Sequence, residues 1–160
     1  MASAYAVACV KKAKSWNGLK EGAPVDKAII NPWNKATGRK PPAHSKTTPW
    51  CQITFVSDAI QTKCLKGKFY SGAGCTQAMK WYKNKHRFKK RGTKVKVSWQ
   101  VFYNFKNPKS TTRSTHTGIV VATNGKYIIV QEGNKNNKCA RRTILYNSKY
   151  IVGFGIPNYK

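Results

Sequence analysis

The pattern of apolar and polar positions changes period near residue 92 and divides the chain into two parts. In the first part the apolar positions recur at helical spacing. This spacing predicts helices over residues 3–17, Cys51–Leu65 and Thr76–Lys85. The segment from Gly18 to Pro49 contains five prolines, which predicts a long irregular loop.

The second part of the chain has the alternation of a β-sheet. Every second residue from Val95 to Phe105 is apolar, which predicts a strand. Further strands are expected at Thr117–Thr123, Lys126–Gln131, Thr143–Tyr146 and Tyr150–Phe154. Helices followed by antiparallel strands indicate one α+β domain over residues 1–160, with N-terminal helices packed on a small antiparallel sheet.

The hairpin turn near Asn124-Gly125 decides which side chains share a face of that sheet. A two-residue loop would turn Glu132 away from the face that carries His116. A three-residue loop that ends at Gly125, with this glycine as a left-handed bulge residue, would instead place His116 directly opposite Glu132. Asn134 would then lie on the same side. We predict the three-residue loop.

The charge of the chain indicates its partners. Its 160 residues include 31 Lys and Arg against 4 Asp and Glu, for a formal net charge of +27. Such a surface attracts polyanions, which include nucleic acid, anionic lipid and anionic wall polymers. The densest run lies between Lys83 and Lys96, with Trp81, Tyr82 and Phe88 nearby. This combination is compatible with nucleic-acid binding, and also with a solvated face.

Several classes of protein and site are excluded or disfavoured by composition. No apolar run approaches the roughly 18 residues that a membrane-spanning helix needs, and the first residues lack the order of a secretory signal. Four scattered acids disfavour a calcium cage or a two-carboxylate glycosidase. The five cysteines contain no CxxC pair, which disfavours a structural zinc site. Cys64 and Cys75 flank a short glycine-rich turn and could form a disulfide.

Cys51 is the candidate nucleophile because it begins the clearest predicted helix. A helix N-terminus stabilises a thiolate, and its free N–H groups can hold an oxyanion. His116 is the candidate base, since His44 and His86 lie in segments expected at the surface. Glu132 or Asn134 would fix the tautomer of the imidazole. From the helix alone, an inert buried cysteine remains an equal alternative.

These residues resemble CHAP-domain peptidoglycan hydrolases, which are related to the NlpC/P60 enzymes. The sequence from Pro49 to Ser57 is similar to their nucleophile helix, and Thr115–Val121 to their histidine strand. Val130–Asn134 resembles the acid-and-amide motif that follows. The early turn at Gly18–Gly22 and the closing strand at Gly153–Tyr159 extend the resemblance across nearly the whole chain. The chain departs from the family at Lys94–Ser98, where a Pro-Gly-Asp turn is usual.

The resemblance implies a papain-like fold and a cysteine hydrolase. Cys51 would attack an amide carbonyl, His116 would serve as base and then acid, Glu132 would orient His116, and Asn134 would assist or line the cleft. Trp50 and Gln52 are expected at the substrate cleft, although Trp50 could equally pack in the core. The substrate would be the peptide of bacterial peptidoglycan, cut by an N-acetylmuramoyl-L-alanine amidase or an endopeptidase.

The same resemblance sets the expected partners and location. We expect no cofactor, no metal, and a monomer that acts outside the cytoplasm on the cell wall, as a phage lysin or a secreted enzyme. The basic surface would bind anionic envelope polymers such as teichoic acid, with nucleic acid a weaker expectation. The alternative is a non-catalytic basic protein that binds nucleic acid or wall polymer on a papain-like scaffold.

Overall fold

Helices occupy the first half of the chain and strands the second, as the change of period predicts. The computed structural model describes residues 2–160 and has an α+β fold. The helices are α1 (Ala4–Ser15), α2 (Ala23–Val25), α3 (Asn31–Thr37), α4 (Cys51–Thr62) and α5 (Cys75–Asn84), and a π-helical turn over Asp26–Ile30 joins α2 to α3. The strands are β1 (Phe88–Lys90), β2 (Gln100–Tyr103), β3 (His116–Thr123), β4 (Tyr127–Glu132), β5 (Ala140–Leu145) and β6 (Ile151–Gly155).

The strands form one antiparallel sheet, and α4 packs against it. The strand order is β1-β6-β2-β3-β4-β5. Helix α4 is buried from Cys51 to Ala59 and contacts α1 and α3 as well as β3. Phe55 packs with Ile119 of β3, while Ile53 packs among the residues of the helical layer. This central position holds the first residue of α4 over the sheet.

The proline-rich segment from Gly18 to Pro49 is not the long irregular loop that was predicted. Residues 23–37 are helical through α2, the π-helical turn and α3. Pro24 and Pro32 lie in the first turns of their helices, where the missing N–H group would have had no helical partner. Burial of Ile29 and Trp33 supplies the packing that stabilises the segment.

The alternating run from Val95 to Phe105 forms a much shorter strand than predicted. The strand is confined to β2, because a turn at Ser98, whose φ is 78°, interrupts the chain before it. The N–H of Ser98 still donates to the carbonyl of Val120 at 2.8 Å. Val95 and Trp99 nevertheless pack in the same cluster as Val101 of β2. The alternation therefore marks a shared core and not a continuous strand. The short edge strand β1 was not predicted, because two of its three residues are lysines and it shows no apolar alternation. Charged residues are common in strands at the edge of a sheet.

The β3–β4 hairpin differs from the predicted three-residue loop. The N–H of Asn124 donates to the carbonyl of Tyr127 at 3.1 Å, so the turn has two central residues, Gly125 and Lys126. A register shift between Val120 and Ala122 then adds one residue to β3. This bulge at Val121, and not the length of the loop, places Glu132 on the face that carries His116.

Asp58, on the buried stripe of α4, is a carboxyl group without a partner. It is 1% exposed, and neither carboxyl oxygen has a hydrogen-bond partner within residues 2–160. Burial raises the pKa of Asp58 to about 8, against the lowering effects of Cys9 and Lys12. The folded protein therefore keeps this proton at neutral pH, where an unfolded chain has released it.

We predict that Asp58→Asn removes a pH dependence of stability. Because the folded pKa is raised, the contribution of Asp58 is fully present below about pH 4 and is lost as the pH rises to about 8. The loss is about 1.4 kcal/mol per pH unit at its steepest. Urea unfolding at pH 5 and pH 8 should show that the variant gains on the wild type at the higher pH. An equal difference at both pH values would contradict the assignment.

Candidate active site

The Cys51 thiol lies at an uncapped helix N-terminus. Trp50 precedes α4 without a side-chain cap, and the first helical hydrogen bond runs from Thr54 N–H to the Trp50 carbonyl at 3.0 Å. The N–H groups before Thr54 therefore have no partner within the helix. Their partial positive charge favours an anion at this position. Cys51 is 8% exposed, so its sulfur is held in the protein at the edge of solvent access.

A second thiol, that of Cys75, contacts the first. The two Sγ atoms are 3.4 Å apart, and Cys75 is itself the first residue of a helix, α5. Cys64, which sequence reasoning offered as a disulfide partner for Cys75, instead neighbours Cys9. All five cysteines are free thiols and buried. The glycine-rich turn between Cys64 and Cys75 therefore brings Cys75 to the nucleophile.

The two thiols divide the ionisation between them. The hydrogen bond from Cys75 lowers the pKa of Cys51 below its ordinary value, burial opposes this, and the neighbouring His116 lowers it further. The same hydrogen bond and burial raise the pKa of Cys75. Cys75 therefore stays protonated and donates its S–H to a Cys51 thiolate.

Glu132 fixes the orientation of the His116 ring. Nε2 of His116 lies 2.9 Å from Oε1 of Glu132, which leaves Nδ1 as the ring nitrogen available to Cys51. The ring of Tyr103 stacks on the imidazole, with centroids 5.8 Å apart and planes 23° apart. His116 and Glu132 thus lie on the same face, as predicted.

The pair is diagonal across the hairpin and not directly opposite as predicted. The register that pairs Ile119 with Gln131 places Gly118 opposite Glu132. A Cβ on Gly118 would come within 2.8 Å of Cγ of Glu132. The absence of a side chain at Gly118 therefore gives the Glu132 side chain the space to reach His116.

Arg142 is the second partner of the Glu132 carboxylate, and the sequence analysis did not identify it. Its Nε donates to Oε2 of Glu132 at 2.8 Å and its Nη2 to Oε1 at 3.1 Å. The guanidinium also lies over the rings of Tyr103 and Phe105, at 5.4 and 4.7 Å from their centroids. Half-buried and exposed residues alternate along β5, and Arg142 lies on its half-buried face. The strand predicted at Thr143–Tyr146 begins after Arg142, so the sequence analysis did not place this residue on a face of the sheet.

For both His116 and Glu132, interactions with neighbouring groups shift the pKa more than burial does. Burial lowers the pKa of His116, but interactions with Cys51 and Glu132 raise it to about 9. Burial raises the pKa of Glu132, but His116 and Arg142 lower it below its ordinary value. These shifts favour the thiolate of Cys51, the imidazolium of His116 and the carboxylate of Glu132 over their neutral forms.

Trp50 and Gln52 do not line a cleft, contrary to expectation. Trp50 is 0% exposed and packs in the helical core, where its Nε1–H donates to Oε1 of Glu21 at 3.2 Å. Gln52 is 1% exposed, and its Oε1 accepts a hydrogen bond from Nε2 of Gln100 at 2.7 Å. Both side chains flank Cys51 in sequence, but the helix geometry turns them away from solvent.

The structure does not join Asn134 to the imidazole. This residue follows the end of β4 in a left-handed conformation, with φ of 60°, and is half-buried. Within residues 2–160 its side chain makes no hydrogen bond to His116 or Glu132. His44 and His86 are exposed, as predicted.

The surroundings of the site contain a polar cavity but no metal-ligand cluster. The cavity, of about 480 Å³, is bordered by Cys75, Lys80, Arg113 and Ser114. Over residues 2–160 no three His, Cys, Asp or Glu side chains come together as a metal site would need. In the same range no helix combines the length and apolarity required to cross a bilayer.

We predict that Cys75→Ala raises the pKa of the Cys51 thiol, because the variant loses the S–H donor. The measurement is the rate of Cys51 alkylation by iodoacetamide against pH, followed by peptide mass spectrometry. The midpoint of the rate against pH should move up by about one pH unit or more, which corresponds to about 1.4 kcal/mol. Cys75→Ser keeps a donor and should move the midpoint much less. Equal shifts in both variants would contradict hydrogen bonding as the cause.

We predict that Arg142→Met destabilises the protein by about 3 kcal/mol, because Glu132 then keeps only one partner for its buried charge. Arg141→Met is the matched control: Arg141 is exposed and bonds Gln131 at 3.0 Å, and its loss should cost about 1 kcal/mol. The gap should widen from pH 7 to pH 9.5, as His116 loses its proton and with it the last positive partner of Glu132. Urea unfolding measures both effects, and equal losses in the two variants would refute the role of Arg142.

Comparison with known proteins supports the fold. No protein-family model and no curated protein matches the chain. A solved structure described as the crystal structure of Ly7917 is similar to it, with a TM-score of 0.55 and 13% sequence identity. The match covers 96% of this chain and 62% of that one, so this chain spans less than two thirds of its length. At this identity the similarity shows a shared α+β fold and nothing about activity.

Proposed function

We propose that the protein is a cysteine hydrolase that cleaves an amide bond in the peptide part of bacterial peptidoglycan. The observation that carries the proposal is the arrangement of Cys51, His116 and Glu132. A thiol at an uncapped helix N-terminus neighbours an imidazole whose other nitrogen is bonded to a buried carboxylate at 2.9 Å. This order of nucleophile, base and orienting acid is the one that acyl transfer requires.

In the first step the Cys51 thiolate attacks the carbonyl carbon of the substrate amide. A carbon–sulfur bond forms, and the carbonyl electrons move to oxygen. The free N–H groups at the start of α4 are placed to stabilise this oxyanion. Cys75 donates a hydrogen bond to the resting thiolate at an Sγ–Sγ distance of 3.4 Å, which disperses its charge before attack.

In the second step the His116 imidazolium gives its Nδ1 proton to the leaving nitrogen as the carbon–nitrogen bond breaks. The thioester that remains is attacked by water, and the neutral imidazole takes up a proton from that water. The product leaves as a carboxylic acid, and the thiolate–imidazolium pair returns. Glu132 keeps its bond to Nε2 throughout and stabilises the imidazolium, with Arg142 holding the carboxylate.

The choice of peptidoglycan rests on the sequence resemblance to CHAP-domain hydrolases. The motif around Cys51 and the one around His116 occur in the order of that family, and a papain-like arrangement of α4 against the sheet is consistent with both. The surplus of cations suits an enzyme that works on the anionic envelope outside the cytoplasm. The bond is the one between muramic acid and L-alanine, or one within the peptide.

We predict that purified peptidoglycan yields new products with the wild type and none with Cys51→Ala. Mass spectrometry of the products identifies the bond, because an amidase frees the amine of L-alanine and an endopeptidase frees an amine within the peptide. Cys139→Ala is the matched control: Cys139 is buried in the helical core and makes no hydrogen bond to Cys51, His116 or Glu132 within residues 2–160, and burial raises the pKa of its thiol to about 12. This variant should retain activity.

Two outcomes would contradict the proposal. Products from Cys51→Ala would assign the chemistry to another residue. No products from folded wild type on several wall types would favour the non-catalytic basic protein.

A further inference from the structure

A basic groove lies at the edge of the sheet formed by β1, and Cys51 does not line it. It has a volume of about 1090 Å³ and is walled by the end of α5, strand β1, the loop over residues 107–112 and the start of β6. None of the three proposed catalytic residues borders it. The groove is therefore a concave site that the proposed chemistry does not use.

The cations of the groove have no acidic partners. Five Lys and Arg residues line it: Lys83, Lys90, Arg91, Lys109 and Lys149. No carboxylate is among the lining residues. In the part of the chain that the structure describes, Glu132 is the one acid that forms ion pairs, and those are with His116 and Arg142. An anion that enters the groove would reduce the repulsion among these five cations, and none of them would have to leave an acidic partner.

Two of these cations hold the walls of the groove together. Nζ of Lys83 donates to the carbonyl of Thr111 at 2.7 Å, and Nη1 of Arg91 donates to the carbonyl of Lys149 at 2.9 Å. The first bond joins the 107–112 loop to the end of α5. The second joins the segment before β6 to the residue that follows β1. Within residues 2–160 each of these two side chains makes one hydrogen bond, and each carries further N–H donors. The groove is thus preformed, and its donors remain available.

The Phe and Tyr rings at the groove are packed against the protein. Phe88 lines the groove, and its ring packs over Gly153 while Nζ of Lys83 lies 4.9 Å from its centroid. The other ring at the wall, the exposed imidazole of His86, offers a single small stacking surface. Tyr82 is buried and donates to Gln100. Binding of single-stranded nucleic acid relies on exposed aromatic faces for stacking. The groove therefore favours an anionic chain that has no bases.

We propose that this groove binds a linear polyol-phosphate polymer of the bacterial envelope. The inference rests on the proposed function for the source of the polymer, and on the groove itself for its chemistry. Regularly spaced phosphodiesters on a flexible aliphatic chain match a groove that offers several cations and the apolar surfaces of Phe88, Ile151 and Val152.

The position of the groove couples the polymer to the nucleophile without blocking it. Helix α5 begins at Cys75, beside Cys51, and Lys83 lies eight residues later, about 12 Å along the helix axis. Thr112 borders both the groove and the cavity next to Cys75. A polymer held in the groove therefore keeps the enzyme on the wall and leaves the catalytic site open to peptide.

The test compares two triple variants that lose the same charge. The groove variant is Lys90→Gln, Lys109→Gln and Lys149→Gln, and the control variant is Lys11→Gln, Lys27→Gln and Lys35→Gln; all six lysines are exposed. The probe is lipid-free poly(glycerol phosphate), and the affinity is measured over a range of salt concentrations. We expect the groove variant to bind at least about tenfold more weakly than the control. Its salt slope should fall by about one for each lysine that contacts a phosphate.

Three results would overturn the inference. Equal weakening in both variants would show that net charge alone drives binding. Tighter binding of single-stranded DNA with the same number of phosphates by the wild type, lost in the groove variant, would assign the site to nucleic acid. A groove-dependent affinity for phosphatidylglycerol vesicles, with none for the free polymer, would assign it to lipid.

Failure of this inference is distinguishable from failure of the proposed function. Cys51→Ala should bind poly(glycerol phosphate) as the wild type does, because Cys51 does not border the groove. Both triple variants should digest polymer-free peptidoglycan fragments at the wild-type rate. Loss of that activity in the groove variant alone would show that the groove serves the chemistry directly, and would refute a separate binding site.

Discussion

The buried carboxylate of Glu132 is the constraint on which the arrangement of the site depends. Its side chain is 0% exposed, and such a charge persists in a protein only when partners surround it. The partners come from the neighbouring strands, His116 on β3 and Arg142 on β5. The register of three strands is therefore tied to one ion. The bulge at Val121 and the missing side chain at Gly118 are the local features that let the strands meet this requirement.

The elements that the sequence predicted well are those with a local cause. Apolar periodicity located α1, α4, α5 and the strands from β3 onward, because each contributes apolar residues that pack in the core or against it. The segment over residues 23–37 was wrongly predicted as loop because proline ends helices, yet it also begins them, and only burial of the neighbouring isoleucines and Trp33 decides between the two. The hairpin shows the same limit. A bulge leaves no mark in an apolar strand, so the shared face of His116 and Glu132 was predicted by the wrong route.

The site divides in the same way between local and distant causes. Cys51 and His116 were found because a helix start and a strand start are visible in sequence. Arg142 and Cys75 were missed because their roles exist only once β5 and α5 are packed against the rest. Cys75 immediately precedes the helix predicted at Thr76–Lys85. It could therefore have been identified by the same argument as Cys51, which begins a predicted helix. Trp50 and Gln52 were assigned to the cleft by proximity in sequence, whereas the first turn of a helix directs successive side chains to different sides.

Because the four carboxyl groups make contacts inside the protein, binding to a polyanion and the proposed reaction depend on pH in different ways. Glu21 accepts a hydrogen bond from Trp50, Asp26 accepts one from the N–H of Ser45, and Asp58 and Glu132 are buried. The electrostatic field outside the protein is therefore set by Lys and Arg. Attraction to a polyanion therefore persists at acidic pH, whereas protonation of the Cys51 thiolate would remove the nucleophile of the proposed reaction. Acid strong enough to protonate Cys51 would leave the protein bound to an anionic surface without the proposed activity, and neutralisation would restore that activity.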